Sequence, residues 1–138
     1  MANSQSIGVA YSDQDIIGAN NIVSDNVLGY TTAAQGSVTQ LTSKSTGVTL
    51  NKSAGRITMN NAALAGNTAV SFALTNSLIS ANDIIILNIS GGAVADPTAY
   101  TAYVSGMGTS TATITLRNLT ASSQSEAVVL NFALIHCL

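Results

Sequence analysis

From about Gly36 onward the apolar and polar residues of this chain alternate with a period of two, and that period commits it to sheets rather than helices. Thr68–Thr75 shows the pattern cleanly. Val70, Phe72 and Leu74 share one face, and Ala69, Ser71 and Ala73 share the other. Thr111–Asn118 repeats it, with Ala112, Ile114 and Leu116 opposite Thr111, Thr113 and Thr115. Side chains reverse face at every residue of a strand, so each such segment lines a core with one side only. Ser37–Leu41, Val48–Asn51, Arg56–Asn60, Asp83–Ile89, Ala99–Ser105 and Glu126–Ile135 complete the series between Gly, Asn and Ser punctuation.

About eight short strands predict an all-β fold, an antiparallel β-sandwich of the jelly-roll type. Asp83–Ile89 is apolar on both faces, which predicts a central strand covered on two sides. Glu126–Ile135 sets Val128, Leu130, Phe132 and Leu134 against Val129, Asn131, Ala133 and Ile135, so it belongs either centrally or at a subunit contact. Gly106-Met107-Gly108 reads as a hairpin turn, and Asn60–Gly66 as a single helical turn stopped by its glycine. Arg117 and Glu126 flank the Leu119–Ser125 connection. Pairing of Leu116 with Val128 would bring them within diagonal reach across a hairpin.

Residues 1–35 differ from the rest. They are rich in Asn, Asp, Ser and Gly, with small apolar clusters at Ile7–Ala10, Ile16-Ile17, Ile22-Val23 and Val27-Leu28. This reads as an extended N-terminal arm with apolar anchors, followed by a β-sandwich domain over 36–138.

Charge is scarce: 7% of the residues, against about 25% in an average soluble domain. With 46% hydrophobic residues, the chain is expected to hide surface against copies of itself or a larger assembly. Four basic residues, Lys44, Lys52, Arg56 and Arg117, and a net charge of −2 argue against a nucleic-acid partner. They argue equally against a polybasic membrane anchor. The longest apolar runs, Ile84–Leu87 and Ala127–Leu130, fall far short of the ~20 residues of a membrane helix. Met1–Gln5 carries no positive region followed by an apolar core, so no signal peptide is expected.

Chemistry-bearing residues are sparse, and no catalytic, cofactor or metal site is expected. His136 is the sole histidine and adjoins Cys137, but adjacent strand residues point to opposite faces and do not form a dyad. Asp13-Gln14-Asp15 opens like a calcium loop, yet Ile17 stands at the third ligand place. The three matches to a glycosylation pattern, at Asn51, Asn88 and Asn118, are what chance gives in a chain this rich in Asn, Ser and Thr. The carboxylates Asp13, Asp15, Asp25, Asp83, Asp96 and Glu126 sit mostly at turn positions, and tryptophan is absent, so an enzyme is not expected.

The run from Gln35 to Lys52, QGSVTQLTSKSTGVTLNK, continues through Gly55-Arg56-Ile57-Thr58-Met59-Asn60. Together with Val70-Ser71-Phe72, Asp83-Ile84-Ile85-Ile86 and Ser125–Ala133, it resembles structural proteins of tailed bacteriophages, cyanophages among them, over roughly residues 30–135. The resemblance implies a virion module on the outer capsid surface: a decoration (cement) protein, with a head- or tail-fibre knob or carbohydrate- or receptor-binding module as the alternative. The short lead before the domain favours decoration, since a fibre would carry a longer shaft. The resemblance also implies a homotrimer, with the major capsid protein as partner. Tyr11, Ile16, Ile17, Ile22, Val23, Val27 and Leu28 are the candidate capsid contacts in the arm. Val129, Asn131 and Ile135 are the candidate subunit contacts. Tyr100 and Tyr103 are the candidate sugar platform of the alternative, though alternation puts them on opposite faces.

Overall fold

Among the described residues eight strands divide between two sheets, and through the sixth each successive strand changes sheet. The computed structural model describes residues 20–21, 23–92, 94–96 and 98–137. A 3-10 turn at Thr32–Ala34 leads into β1 (Gln35–Thr39). There follow β2 (Val48–Thr49), β3 (Ala54–Thr58), β4 (Ala69–Thr75), β5 (Ile84–Gly92), β6 (Tyr100–Gly108), β7 (Thr111–Asn118) and β8 (Val128–Ile135). The first sheet has the order β1-β3-β8-β5 and the second β2-β4-β7-β6. Every segment expected from alternation is a strand, and the all-β sandwich is the fold adopted.

The inner faces interdigitate as the alternation requires. Ile57, Leu130 and Val128 from the first sheet meet Leu74, Ile114 and Leu116 from the second, all without solvent exposure. Gly36 and Gly55 lie side by side on the inner faces of β1 and β3. A Cβ on Gly55 would stand 2.5 Å from Leu50 Cδ2 and 2.8 Å from Phe132 Cε1, so bare backbone there makes room for those two side chains.

Five expectations need correction. The pairing is not wholly antiparallel: β1–β3 and β2–β4 are parallel, because each pair is connected through a strand of the opposite sheet. That departs from the antiparallel Greek keys of a jelly roll. β5 is an edge strand, not a central one, and Ile84 and Ile86 stand in solvent while Ile85 lines the core. The hairpin between β6 and β7 turns at Thr109-Ser110, with Ser110 at φ 59°, and the Gly106 region is a bulge within β6. No helical turn forms over Asn60–Gly66, where Leu64 instead bridges to Gln124. β7 and β8 lie in different sheets, so Arg117 and Glu126 do not face each other. β8 is central, between β3 and β5.

Buried amides hold the connections between sheets. Asn118 Nδ2 donates to the carbonyls of Leu64, Ala65 and Ser122, and its Oδ1 accepts from the Thr120 amide and hydroxyl. Gln40 donates to the carbonyls of Lys44 and Thr46 and accepts from the Asn60 amide. Asn76 donates to the Lys52 carbonyl and accepts from the Leu78 amide. All three side chains are buried. Asn118→Leu keeps the volume but orphans these backbone groups. It is expected to destabilise the domain by about 1–3 kcal/mol, read from urea midpoints. A change below about 0.5 kcal/mol would contradict the role assigned to Asn118.

Candidate functional site

The outer face of the first sheet carries the most unusual surface of the described residues. Register fixes its rows. Ile84 lies opposite Ile135, and Ile86 opposite Ala133, which itself pairs with Ala54. Asn88 lies opposite Asn131, which pairs with Arg56. Ile84, Ile86 and Ile135 are about half exposed, at 56%, 54% and 46%. Covering what remains of each would contribute on the order of 1 kcal/mol per side chain. β5 also leaves one side of its backbone unpaired at the sheet edge.

Beside these isoleucines the face turns polar. A shallow depression of about 390 Å³ is lined by Gln35, Ala54, Arg56, Ser90 and Asn131. Arg56 is exposed and has no ion-pair partner among the described residues. Ser90 Oγ is buried without a hydrogen-bond partner among them.

The arm reaches this region at Tyr30. Its hydroxyl donates to the Leu134 carbonyl, and the ring helps to line an apolar groove of about 300 Å³ with Leu78, Leu134 and His136. The described residues before Tyr30 are exposed. Val23, Val27 and Leu28 are 89%, 88% and 85% exposed, and among the described residues the hydrogen bonds of 23–28 are local ones, within Ser24–Val27. Tyr11, Ile16, Ile17 and Ile22 lie outside the described residues, as do Asp13 and Asp15. Of the three candidate subunit contacts, Asn131 and Ile135 are exposed on the outer face. Val129 is 5% exposed and has almost no surface to offer a neighbour. Alternation found Ile135 but missed Ile84, Ile86 and Arg56, because nothing in a two-faced apolar run says which face is left bare.

Two polar clusters close the ends of the sandwich. Asp83 and His136 flank the Ile84–Ile135 pair, and His136 Nδ1 donates to the Asp83 carboxylate at 2.9 Å. The Ser80 amide and hydroxyl and the Cys137 amide donate to the same carboxylate. Burial opposes its ionisation, but these four donors outweigh burial and hold the carboxyl well below its usual range. His136 therefore works with Asp83 rather than with Cys137, a pairing that the β5–β8 register would have revealed. Elsewhere, Lys44 Nζ donates to the Asn60 and Glu126 carbonyls, at 2.5 Å each, tying two connections together. Burial lowers the Lys44 pKa, and the Glu126 carboxylate opposes that shift. Burial and the same carboxylate push the Tyr100 phenol up to about 12.

The Asp83 cluster gives a signed pH dependence. Its folded pKa lies below the ordinary 3.8, so its stabilisation is present above that pH and is lost as pH falls from there toward the folded value. Asp83→Asn is expected to lower the melting temperature at about pH 7, with the deficit shrinking by about pH 2.5. Equal deficits at both pH values would show that the carboxylate charge is not what matters. No protein-family model, curated protein or solved structure matches this chain.

Proposed function

We propose that this chain is a capsid decoration (cement) protein of a tailed bacteriophage, seated on the outer capsid surface as a homotrimer and in contact with the major capsid protein. The observation that carries the reading is the apolar surface left in water by a chain with so little charge. Val23, Val27 and Leu28 on the arm and Ile84, Ile86 and Ile135 on the sheet are all large, aliphatic and exposed. Patches of this kind mark surfaces made to be covered. The resemblance of residues 30–135 to phage structural proteins supplies the setting.

The mechanism is linkage. A protein that binds only the assembled shell stabilises that shell by mass action, by roughly 2.7 kcal/mol per site at a hundred times its Kd. A rigid sandwich suits such a bridge, since little conformational entropy is lost when it docks. Its amide- and hydroxyl-rich polar groups tolerate burial better than charges.

A second reading, a fibre knob or glycan-binding module, is favoured by one feature. Tyr103 is exposed on β6 beside a row of hydroxyls in which Thr115 Oγ1 meets Ser71 at 2.8 Å and Ser105 at 2.7 Å. Tyr100, the other tyrosine considered, is buried.

Three measurements separate these readings. Sedimentation equilibrium at micromolar concentration is expected to give a trimer, and binding is expected to assembled heads but not to unassembled capsid protein. A stable monomer that ignores assembled heads would sink the decoration reading. Glycan-array binding that disappears in Tyr103→Ala would put the second reading in its place.

A further inference from the structure

The register of the first sheet assembles a polar row across its outer face. Ser37 lies opposite Arg56, Arg56 opposite Asn131, and Asn131 opposite Asn88. The four side chains come from four strands and all are exposed. At normal strand spacing the row is about 14 Å long. Among the described residues Arg56 has no ion-pair partner, and the side chains of Arg56, Ser37 and Asn131 make no hydrogen bond. Asn88 makes one long contact, 3.4 Å, to the Ile89 carbonyl.

The row borders the depression of about 390 Å³. Arg56 and Asn131 line it, together with Gln35 and Ser90. Gly36 and Gly55 contribute backbone alone and Ala54 a single methyl group, so the face dips beside the row. Gln35 gives an amide hydrogen to the Tyr30 carbonyl and keeps its oxygen open. Charge and amides together define what fits. A guanidinium with no carboxylate beside it grips an oxyanion through two parallel hydrogen bonds. Its row holds no second cation, which matches the one charge of a carboxylate better than the roughly 1.5–2 charges of a phosphate group at pH 7. Amide side chains carry both donors and an acceptor, the complement of sugar hydroxyls, which also do both. The other exposed guanidinium, Arg117, stands on the second sheet between Ala69 and Thr101, with no amide in that stretch of its row.

We propose that this depression binds a sugar acid, a uronic acid residue, with its carboxylate on Arg56 and its hydroxyls on Asn131 and Gln35. A volume of about 390 Å³ lies at the small end of ligand sites, which suits one or two sugar rings. Asn131 thereby gains a ligand role in place of the subunit contact expected from the sequence. The site lies on the first sheet, whereas Tyr103 lies on the second, so it is separate from the glycan surface of the alternative reading. It does not depend on the decoration reading either.

Galacturonate is the probe, titrated into the isotope-labelled full-length chain. Saturable amide NMR shifts are expected, clustered at Arg56 and Asn131. Two controls split the ligand: galactose keeps the hydroxyls without the carboxylate, and acetate keeps the carboxylate without the hydroxyls. Each is expected to bind about tenfold more weakly or worse, since each leaves polar groups of the site unpaired. Arg56→Gln is a surface change and is expected to weaken galacturonate by about tenfold. Arg56→Lys keeps the charge without the fork and is expected to fall between Arg56→Gln and the wild type. Tyr103→Ala is expected to leave binding unchanged. Tighter binding of trigalacturonate than of the monomer would support the proposal with a polysaccharide as the source, and equal binding would support it with the free acid. No saturable shifts, galactose or acetate binding as well as galacturonate, full affinity in Arg56→Gln, or loss in Tyr103→Ala would each overturn it.

Discussion

The chain crosses between its sheets at nearly every connection, and each crossing must keep its backbone hydrogen-bonded where water is excluded. The fold depends on how that is done. Neutral amides do most of it: Asn118, Asn76 and Gln40 each donate to one or more carbonyls of the connections while accepting from a backbone amide of a connection. An amide carries donors and an acceptor in one group, so it can satisfy both kinds of orphan without the desolvation cost of a charge. Lys44 is the exception. It is buried, and its ammonium is offset by two carbonyls and the nearby Glu126 carboxylate.

This solution reshapes the meaning of the composition. The abundance of Asn, Ser, Thr and Gln suggests surfaces that become buried in an interface. Four of these residues, Gln40, Asn76, Thr115 and Asn118, are instead buried within the domain. The surface left over is small, neutral and partly aliphatic. On the outer face of the first sheet it becomes a graded strip, from Ile84 and Ile135 through Ile86 and Ala133 to Asn131 and Arg56. Exposed aliphatics on an edge strand are a hazard for a lone molecule, and a covered position in an assembly removes it.

Legibility follows the range of the interactions concerned. Strand positions were readable because alternation is local: Val70, Phe72 and Leu74 declare their shared face without reference to any partner. Strand order was not. Asp83–Ile89 reads as doubly buried from its run of isoleucines, yet it lies at an edge, since an apolar outer face looks the same in sequence whether another layer covers it or not. The same blindness hid the Asp83–His136 pair, whose members are 53 residues apart and meet only through the β5–β8 register. The turn was misplaced because Gly106 signals chain reversal and bulge equally well, while Ser110 takes the left-handed conformation without being glycine.

By itself, then, the sequence determined that this chain is an all-β protein of about eight short strands, with a leading segment of different composition and little charge. Those properties are sums over local choices: side-chain parity, turn residues and charge count. Only the tertiary structure decided which strands neighbour one another, which face of β5 meets solvent, and that Arg56 stands at the polar end of the face that carries the exposed isoleucines. The reason is that pairing partners and coverage are relations between segments far apart in the chain, and period-two alternation is satisfied equally well by many of them.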